Sequence, residues 1–268
     1  MAGTSSDNHT YISPKLGTYQ SQHGEDKWLD EYFHKKRHGF FVEVGAYDGI
    51  VLSNTYHFEK ERAWTGILVE PDTKKADLCR KNRPNSRTYE CAAVGSEGAQ
   101  EISFFRVDGG EVYSTINLVD SHRQRLIEYG LAYREVRVRA MTLDQMLVEV
   151  NPPCVDFVSI DVEEGELGVL EGFDIRRWKP RIVIVESNSS ERKPEIRDYF
   201  VRNGYAYRNS VAINDFYSPV VGGSLLAKII DFSRYSRTRK PEKTDKPYLL
   251  RQARKYLDRH LLWRFKGR

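Results

Sequence analysis

Two kinds of spacing between hydrophobic positions alternate along the chain. Short, nearly continuous apolar runs predict buried strands at residues 40–44, 66–72, near 91–94, at the start of 154–173 and at 181–188. Between them, apolar residues recur at helical spacing, which predicts helices at residues 21–33, 53–61, 73–80, 143–148, at the end of 154–173 and at 193–203. Strands that alternate with helices in this way are typical of a parallel sheet.

Further strands are predicted at residues 101–107 and 135–139, on either side of a polar middle region. A closing pair of strands is predicted at residues 205–211 and 215–221, around Ile213 and Asn214. The expected fold class is therefore α/β, with a mostly parallel sheet, helices on both faces and an antiparallel strand pair that closes one edge.

Charge divides the chain unevenly. Residues 224–268 carry fourteen Lys/Arg and four Asp/Glu, whereas the rest of the chain has a net charge of −6. We expect a lead-in at residues 1–20, a main domain at 21–223 and a basic tail at 224–268. Because the basic character belongs to the tail, the sequence pI of about 8.8 does not indicate that the domain binds nucleic acid. The three cysteines form no CxxC pair, which argues against a zinc site or a disulfide framework.

The tail reads as a flexible linker at residues 237–247, followed by an amphipathic helix at 247–265. This basic helix suits an anionic membrane surface. Docking on its own domain, or in a homo-oligomer, explains it equally well. The N-terminus lacks an apolar signal core, and no apolar run approaches the roughly 20 residues that a membrane span needs. We therefore expect a cytoplasmic protein, with peripheral membrane contact through the tail as one option.

The first predicted strand contains a candidate binding motif, FFVEVGAYDGI, at residues 40–50. Ligands of an open parallel sheet bind outside the carboxyl ends of its strands. This strand ends at Gly45, where a glycine permits a tight turn and close approach of a ligand to the backbone. Glu43 is costly to bury without a polar partner. The second strand ends at Glu70, and an acidic residue there accepts hydrogen bonds from ribose hydroxyls in nucleotide-binding folds. These features predict a pocket for an adenosine cofactor; ordinary turn glycines and a solvated Glu43 are the alternative.

The turn sequence GAYDG distinguishes between two cofactors. A dinucleotide-binding fold uses GxGxxG to bring its backbone against a pyrophosphate. Here the turn has only Gly45 and Gly49, and Asp48 lies between them. Asp48 and Glu43 would repel a pyrophosphate but suit a ligand with an amino group and a sulfonium. We therefore predict S-adenosylmethionine as the cofactor, and an NAD-linked oxidoreductase is the less favoured alternative.

Seven segments between residues 21 and 188 carry a resemblance to a known family. They read SQHGEDKWLDEYF, GFFVEVGAYDGIVLSNT, WTGILVEPD, CAAVGS, TLDQML, DFVSIDVEEGELGVLEGF and IVIVESN. In combination they resemble the FkbM family of S-adenosylmethionine-dependent methyltransferases, a class I, Rossmann-like group. The resemblance implies O-methylation, often of a sugar hydroxyl in glycan, lipid or antibiotic biosynthesis. One position departs from the family pattern D-x-E-G-A-E, because Glu164 stands where the family has a glycine.

The resemblance also implies a set of cofactor contacts. The methionine part is surrounded by Glu43, Gly45, Asp48 and Gly49. Its carboxylate is bonded by Ser53, Asn54 and Thr55, although the same residue types cap helices. The ribose is bound by Glu70, with Pro71 and Asp72 on the adenine side. The adenine ring is flanked by Ala92, Ala93 and Val94, unless these are ordinary core residues. Gln22 is a further contact, in a segment with Glu25 and Asp26 that can fold over the cofactor as a lid or form a surface helix.

Catalysis is expected near Asp161, which ends the fourth strand beside the transferred methyl group and also contacts the cofactor. A sugar hydroxyl is a poor nucleophile, so a base or a metal should help to remove its proton. The predicted catalytic residues are Asp161, Glu163 and Glu186. Glu163 and Glu166 are one helical turn apart, although helix N-termini are enriched in acidic residues anyway. A second option is a Mg²⁺ ion held by Asp161, Glu186 and Asn188, which is left uncommitted.

The acceptor is expected to be a saccharide or another hydroxyl-bearing molecule. An insertion after the Gly109-Gly110 turn contains Tyr113, Ser114 and Thr115, and it can line the acceptor site because loops carry such specificity. The alternative from another class is a non-catalytic binding or trafficking protein that keeps the same fold.

Overall fold

The computed structural model describes residues 17–187 and 193–220. The lead-in before residue 17, Asn188, and the linker and amphipathic helix of the tail lie outside these residues. The three-part division of the chain therefore stays a prediction. In the described part of the chain, no helix is both long and apolar enough to cross a bilayer.

A seven-stranded sheet forms the centre of the fold, in the order β3-β2-β1-β7-β8-β10-β9. Its strands are β1 (Phe40–Val44), β2 (Thr65–Val69), β3 (Arg87–Tyr89), β7 (Phe157–Ile160), β8 (Ile182–Glu186), β9 (Tyr205–Val211) and β10 (Asn214–Pro219). The first five in spatial order are parallel, whereas β10 runs antiparallel to β8 and to β9. The predicted fold class, a mostly parallel α/β sheet closed by an antiparallel pair, is confirmed.

Every residue of β1, β7 and β8 is buried, as expected for parallel strands covered on both faces. The helices are α1 (Glu25–Tyr32), α2 (Tyr56–Arg62), α3 (Thr73–Asn82), α4 (Asp120–Glu128), α5 (Leu143–Val150), α6 (Glu166–Glu171), α7 (Ile175–Trp178) and α8 (Lys193–Arg202). An aromatic cluster forms part of the core, where the ring of Phe58 lies 4.8 Å from that of Trp64 and 5.1 Å from that of Phe157. This cluster joins α2 to the middle of the sheet.

A second sheet has the order β4-β6-β5, from β4 (Ala92–Ala93), β5 (Glu101–Asp108) and β6 (Ala132–Met141). One strand was predicted to end near residues 91–94, but the structure has two strands there, β3 and β4, which belong to different sheets. The third strand of the main sheet is β3, and Ala92 and Ala93 pair instead with Ala140 and Met141 of β6. Tyr89 ends β3, and the chain changes sheet over the next two residues.

Two helices were not predicted. α4 lies in the polar middle region, and only His122 and Leu126 of its residues are buried. That single pair, four residues apart, is too weak an apolar pattern to indicate a helix. α7 has only four residues. Arg125 of α4 and Tyr129, which directly follows the helix, line the cavity described below, so neither was among the predicted site residues.

Candidate functional site

A cavity of about 450 Å³ lies at the carboxyl ends of the parallel strands. Gly45, Glu70, Asp161 and Glu186, which lie at or just beyond the ends of β1, β2, β7 and β8, all line it. Adjacent strands lie about 4.8 Å apart, so Glu70 and Glu186 lie toward opposite sides of the cavity, on strands separated by two others. This is the place where open α/β sheets bind their ligands.

Gly45 is required by its conformation and by its surroundings. Its φ is +85°, which favours glycine, and an added Cβ atom would lie 1.8 Å from the carbonyl oxygen of Asp161. The Asp161 N–H donates to the carbonyl of Val44 at 3.1 Å, so the ends of β1 and β7 are held together there. A side chain at position 45 would force the two strand ends apart at the floor of the cavity.

Glu70 presents a buried carboxyl group at the cavity wall. It accepts hydrogen bonds from the backbone N–H groups of Tyr47 and Asp72, both at 2.9 Å. Burial raises the pKa of Glu70 to about 8, although the two hydrogen bonds oppose the shift. Each carboxyl oxygen can accept a further hydrogen bond, so the group is positioned to bind a pair of hydroxyls.

Glu43 does not line the cavity. Its carboxylate accepts hydrogen bonds from the Ser53 hydroxyl, from the Asn54 N–H at 2.7 Å and from the Thr55 hydroxyl at 2.7 Å. The guanidinium of Arg83 lies 3.7 Å away. Burial raises the pKa of Glu43, while Arg83 and the hydrogen bonds lower it. The buried carboxylate thus fixes the turn that leads into α2, and this explains why the strand contains it.

Four more predicted cofactor contacts lie outside the cavity wall. The Asp48 side chain accepts from the N–H groups of Ile50 and Val51 and so shapes the turn locally. Gly49 has a φ of +80° and lies against Arg83 and Cys79. The Asn54 amide donates to Ser159, and Thr55 bonds Glu43. These residues build the loop, whereas Gln22, Ser53 and Pro71 reach the cavity itself.

The segment that contains Gln22 crosses this loop. Ser21 forms a bridge with Leu52, and the Tyr19 ring stacks on His57 with centroids 4.0 Å apart. Asp26 accepts from the N–H groups of Gln20 and Ser21, so it fixes the segment and does not face the cavity. Glu25 accepts from the Asn214 side chain at 2.8 Å. The segment therefore contributes Gln22 to the cavity wall, and its role as a lid over the cofactor stays a prediction.

At the other end of the cavity, Asp161, Glu163 and Glu186 come together, as predicted. Asp161 and Glu186 share a side-chain hydrogen bond, and burial raises the pKa of both groups. Asp161 is accessible to solvent through the cavity. Protein atoms nevertheless surround its carboxyl group, so the charged form is poorly hydrated and its pKa is raised. Two carboxyl groups this close do not both ionise readily, so the pair tends to hold a proton.

Glu163 belongs to the same cluster but has different partners. Burial raises its pKa to about 8, and the nearby Asp161 adds to the shift. Arg125 opposes the shift from 3.2 Å. Glu166 is more buried than Glu163 and its pKa is raised to about 7 by burial; its carboxylate accepts from the N–H groups of Val162 and Glu164. Glu166 therefore holds the loop and does not line the cavity.

The pH dependence of stability follows from this cluster. Carboxyl groups with raised pKa values keep protons in the folded protein that the unfolded chain releases above its ordinary pKa of 4.5. Stability is therefore expected to fall as the pH rises from 6.5 to about 8, and Glu186→Gln should recover about 1–2 kcal/mol at pH 8 and less at pH 6.5. Urea unfolding at both pH values measures this. The buried His57 and His122 have lowered pKa values and affect stability only below about pH 6.5. A Glu186→Gln variant with an unchanged pH slope would contradict the expectation.

The insertion forms the remaining wall of the cavity, with Tyr113, Ser114 and Thr115 lining it as predicted. The structure adds Arg125 and Tyr129, which were not predicted because the sequence around α4 shows no clear helical pattern. The rings of Tyr113 and Tyr129 lie 5.6 Å apart at 49°. Of the predicted adenine neighbours, Ala92 and Ala93 line the cavity, beside Cys91. Asp72 lies next to this wall and pairs with Arg106 at 2.9 Å.

The loop after β7 has an unusual backbone. Glu163 and Glu164 have φ values of +51° and +74°, in the left-handed region that disfavours side chains. The insertion holds both residues, because Thr115 donates to the Glu163 carbonyl and Asn117 donates to the Glu164 carbonyl at 3.0 Å. The strained geometry is therefore fixed from outside the loop.

Glu164→Gly is expected to stabilise the protein by about 1 kcal/mol, because glycine adopts this φ without strain. The midpoint of urea unfolding measures the change. Glu164→Gln is the matched control, since it removes the charge but keeps the strained backbone. If both variants gain the same stability, the effect comes from the carboxylate and the strain argument is wrong.

The described residues add no support to the Mg²⁺ site considered from the sequence. Among the described residues, no group of three or more His, Cys, Asp or Glu side chains is arranged to hold a metal ion. Asn188, the third ligand considered, lies outside them.

The strand order and the cavity position define a nucleotide-binding type of α/β fold. Comparison with known proteins then identifies the family. The model of the methyltransferase FkbM domain matches residues 43–207, which is more than half of the chain. The protein therefore belongs to the FkbM methyltransferase family, and the resemblance seen in the sequence is confirmed. No curated protein matches the chain significantly.

Several solved structures are similar in fold. The METTL16 methyltransferase domain has a TM-score of 0.40 and 10% identity, over 71% of this chain and 63% of that one. A methyltransferase from Geobacter sulfurreducens in complex with S-adenosyl-L-homocysteine has a TM-score of 0.38 and 8% identity, over 91% and 88%. An O-methyltransferase from Bacillus cereus has a TM-score of 0.38 and 11% identity, over 75% and 82%.

Proposed function

We propose that the protein is an S-adenosylmethionine-dependent methyltransferase that methylates a hydroxyl oxygen of an uncharged acceptor, such as a saccharide. The observation that carries this proposal is that one and the same cavity is lined by Glu70 at one side and by the carboxyl side chains of Asp161, Glu163 and Glu186 at the other. A volume of about 450 Å³ is in the range of small-molecule sites.

The residues present fit this cofactor. Glu70 is placed to accept hydrogen bonds from the two ribose hydroxyls, since its carboxyl group is already oriented by two backbone N–H groups. Ala92 and Ala93 leave room for a flat ring in the wall. The carboxyl groups of Asp161, Glu163 and Glu186 favour a ligand with positive charge. When bound, S-adenosylmethionine supplies an electrophilic methyl group on a cationic sulfur.

The acceptor class follows from charge and shape. Arg125 is the one Lys or Arg side chain among the described residues that line the cavity, and it is paired with Glu163, so the end that holds Asp161, Glu163 and Glu186 offers no free cation to a phosphate or carboxylate group. A hydroxyl can donate to these carboxyl groups, and the rings of Tyr113 and Tyr129 offer surfaces for the apolar face of a sugar. Aligning the acceptor oxygen with the methyl group supplies much of the rate in such a displacement.

Calorimetric titration of the full-length protein with S-adenosylmethionine, S-adenosylhomocysteine and NAD tests the cofactor. Saturable binding of the first two, without NAD binding, is expected. Methyl transfer is then tested with labelled S-adenosylmethionine and a panel of methyl glycosides of neutral hexoses and pentoses. Binding of NAD alone, or of none of the three compounds, would overturn the proposed function.

A further inference from the structure

His122 has an unusual environment for a buried histidine. The residue is completely buried in α4, and its Nε2 lies 2.8 Å from the backbone carbonyl of Tyr113. A carbonyl only accepts hydrogen bonds, so Nε2 carries the proton. Burial lowers the pKa of His122, which keeps the ring neutral and leaves a lone pair on Nδ1.

That Nδ1 atom makes no hydrogen bond in the described part of the structure, although it is buried. It lies 3.6 Å from Oε2 of Glu163, a side chain that lines the cavity. An unused buried acceptor is costly. The cost disappears when the Glu163 carboxyl group carries a proton, because Oε2–H can then donate to Nδ1 after a small approach.

Glu163 is better placed than its neighbours to receive a proton from a substrate. Asp161 and Glu186 hydrogen-bond each other. Neither Glu164 nor Glu166 lines the cavity: the Glu164 carboxylate lies 3.9 Å from Arg125, and Glu166 accepts from the N–H groups of Val162 and Glu164. The Oε2 atom of Glu163 faces Arg125 at 3.2 Å, whereas its Oε1 atom has no hydrogen bond within residues 17–187 and 193–220. The side chain is 14% exposed, which leaves it open to a ligand.

We propose that Glu163 is the catalytic base and that His122 is its positioning residue. This proposal rests on the proposed function. In the reaction, the acceptor hydroxyl gives its proton to the Glu163 carboxylate as its oxygen forms a bond to the methyl carbon. The carbon–sulfur bond breaks and its electron pair stays on sulfur, so the positive charge lost there is balanced by the proton gained at Glu163. The proton is then held between Oε2 of Glu163 and Nδ1 of His122.

The first test needs no acceptor. Full-length protein labelled with ¹⁵N-histidine is saturated with S-adenosylhomocysteine, and the ring nitrogens are observed by NMR at pH 6.5. The His122 signals, assigned by their absence in His122→Gln, are expected to show a neutral Nε2–H ring whose Nδ1 accepts a hydrogen bond. In Glu163→Leu the Nδ1 signal should move to the position of a free acceptor. An Nδ1–H ring, or a signal that ignores the Glu163 substitution, would overturn the proposal.

The second test measures turnover with the methyl glycoside panel. Glu163→Gln should lower kcat by about 10²–10⁴-fold. His122→Gln retains a donor for Tyr113 and should lower kcat about tenfold, with S-adenosylhomocysteine affinity unchanged. The exposed His34→Gln is the matched control. If the wild type turns over and Glu163→Gln is equally active, the assignment of Glu163 as the base is wrong and the proposed function stands. If the wild type binds neither adenosyl compound, the proposed function itself is wrong.

Discussion

Glu70→Ala is expected to weaken S-adenosylmethionine binding by at least 100-fold. The carboxyl group sits at the end of β2 with its orientation fixed by the N–H groups of Tyr47 and Asp72. Hydrogen bonds to a charged group contribute about 1.5–3 kcal/mol each, and about 1.4 kcal/mol is a factor of ten in affinity. Two lost hydroxyl contacts therefore account for the effect. Calorimetry at pH 8.5 is the appropriate measurement, because the group is mostly ionised above its pKa of about 8.

Glu90→Ala is the matched control for this experiment. Glu90 follows β3, next to β2 in the sheet, but it binds Arg80 and Thr73 and does not line the cavity. Its removal should leave cofactor affinity unchanged. Glu70→Gln keeps one acceptor oxygen and should lose about tenfold. Affinity of Glu70→Ala within threefold of the wild type would show that the adenosine part of the ligand is bound elsewhere.

The strands of the site were predictable because a buried parallel strand appears in the sequence as a short, continuous run of apolar residues. β1 was predicted at the residues where it occurs, since a parallel strand covered on both faces is a continuous apolar run. The turn at Gly45 and the acidic residue at the end of β2 follow from spacing along the same short stretch. These elements need no information from the rest of the chain.

Glu43 and His122 show what could not be predicted from local sequence, namely contacts with residues that are distant along the chain. Glu43 and Glu70 both lie near strand ends, yet only Glu70 lines the cavity. The Glu43 carboxylate is instead bound by Arg83 and by the turn at residues 53–55. No local pattern connects Glu43 to a residue forty positions later. Likewise, nothing in the sequence around His122 indicates that α4 brings it beside Glu163. The position of a side chain that tertiary partners hold, such as Glu43 or His122, could not be predicted from the sequence, whereas the positions of Gly45 and Glu70 at strand ends could.

Arg83→Met is expected to cost about 3–5 kcal/mol of stability, because removing one member of a buried ion pair leaves uncompensated charge. The guanidinium is fully buried and bonds Glu59 at 2.9 Å, the Gly49 carbonyl at 3.0 Å and the Thr55 hydroxyl at 2.9 Å. Urea unfolding measures the loss. Arg80→Met is the control, because Arg80 lies in α3 just before Arg83 but its ion pairs are half-exposed, and each contributes about 0–1 kcal/mol.

A triple variant separates the charge effect from lost packing. Adding Glu43→Gln and Glu59→Gln to Arg83→Met removes the two carboxylates that the guanidinium neutralises. If stranded charge dominates, the triple variant should regain about half of the lost stability, because buried ion pairs are often replaceable as a set. If it regains nothing, the hydrogen bonds to the Gly49–Thr55 loop are what Arg83 provides. That result would make Arg83 the residue that holds the Gly49–Thr55 loop in place beside the cavity, and cofactor affinity in Arg83→Met would fall in parallel with stability.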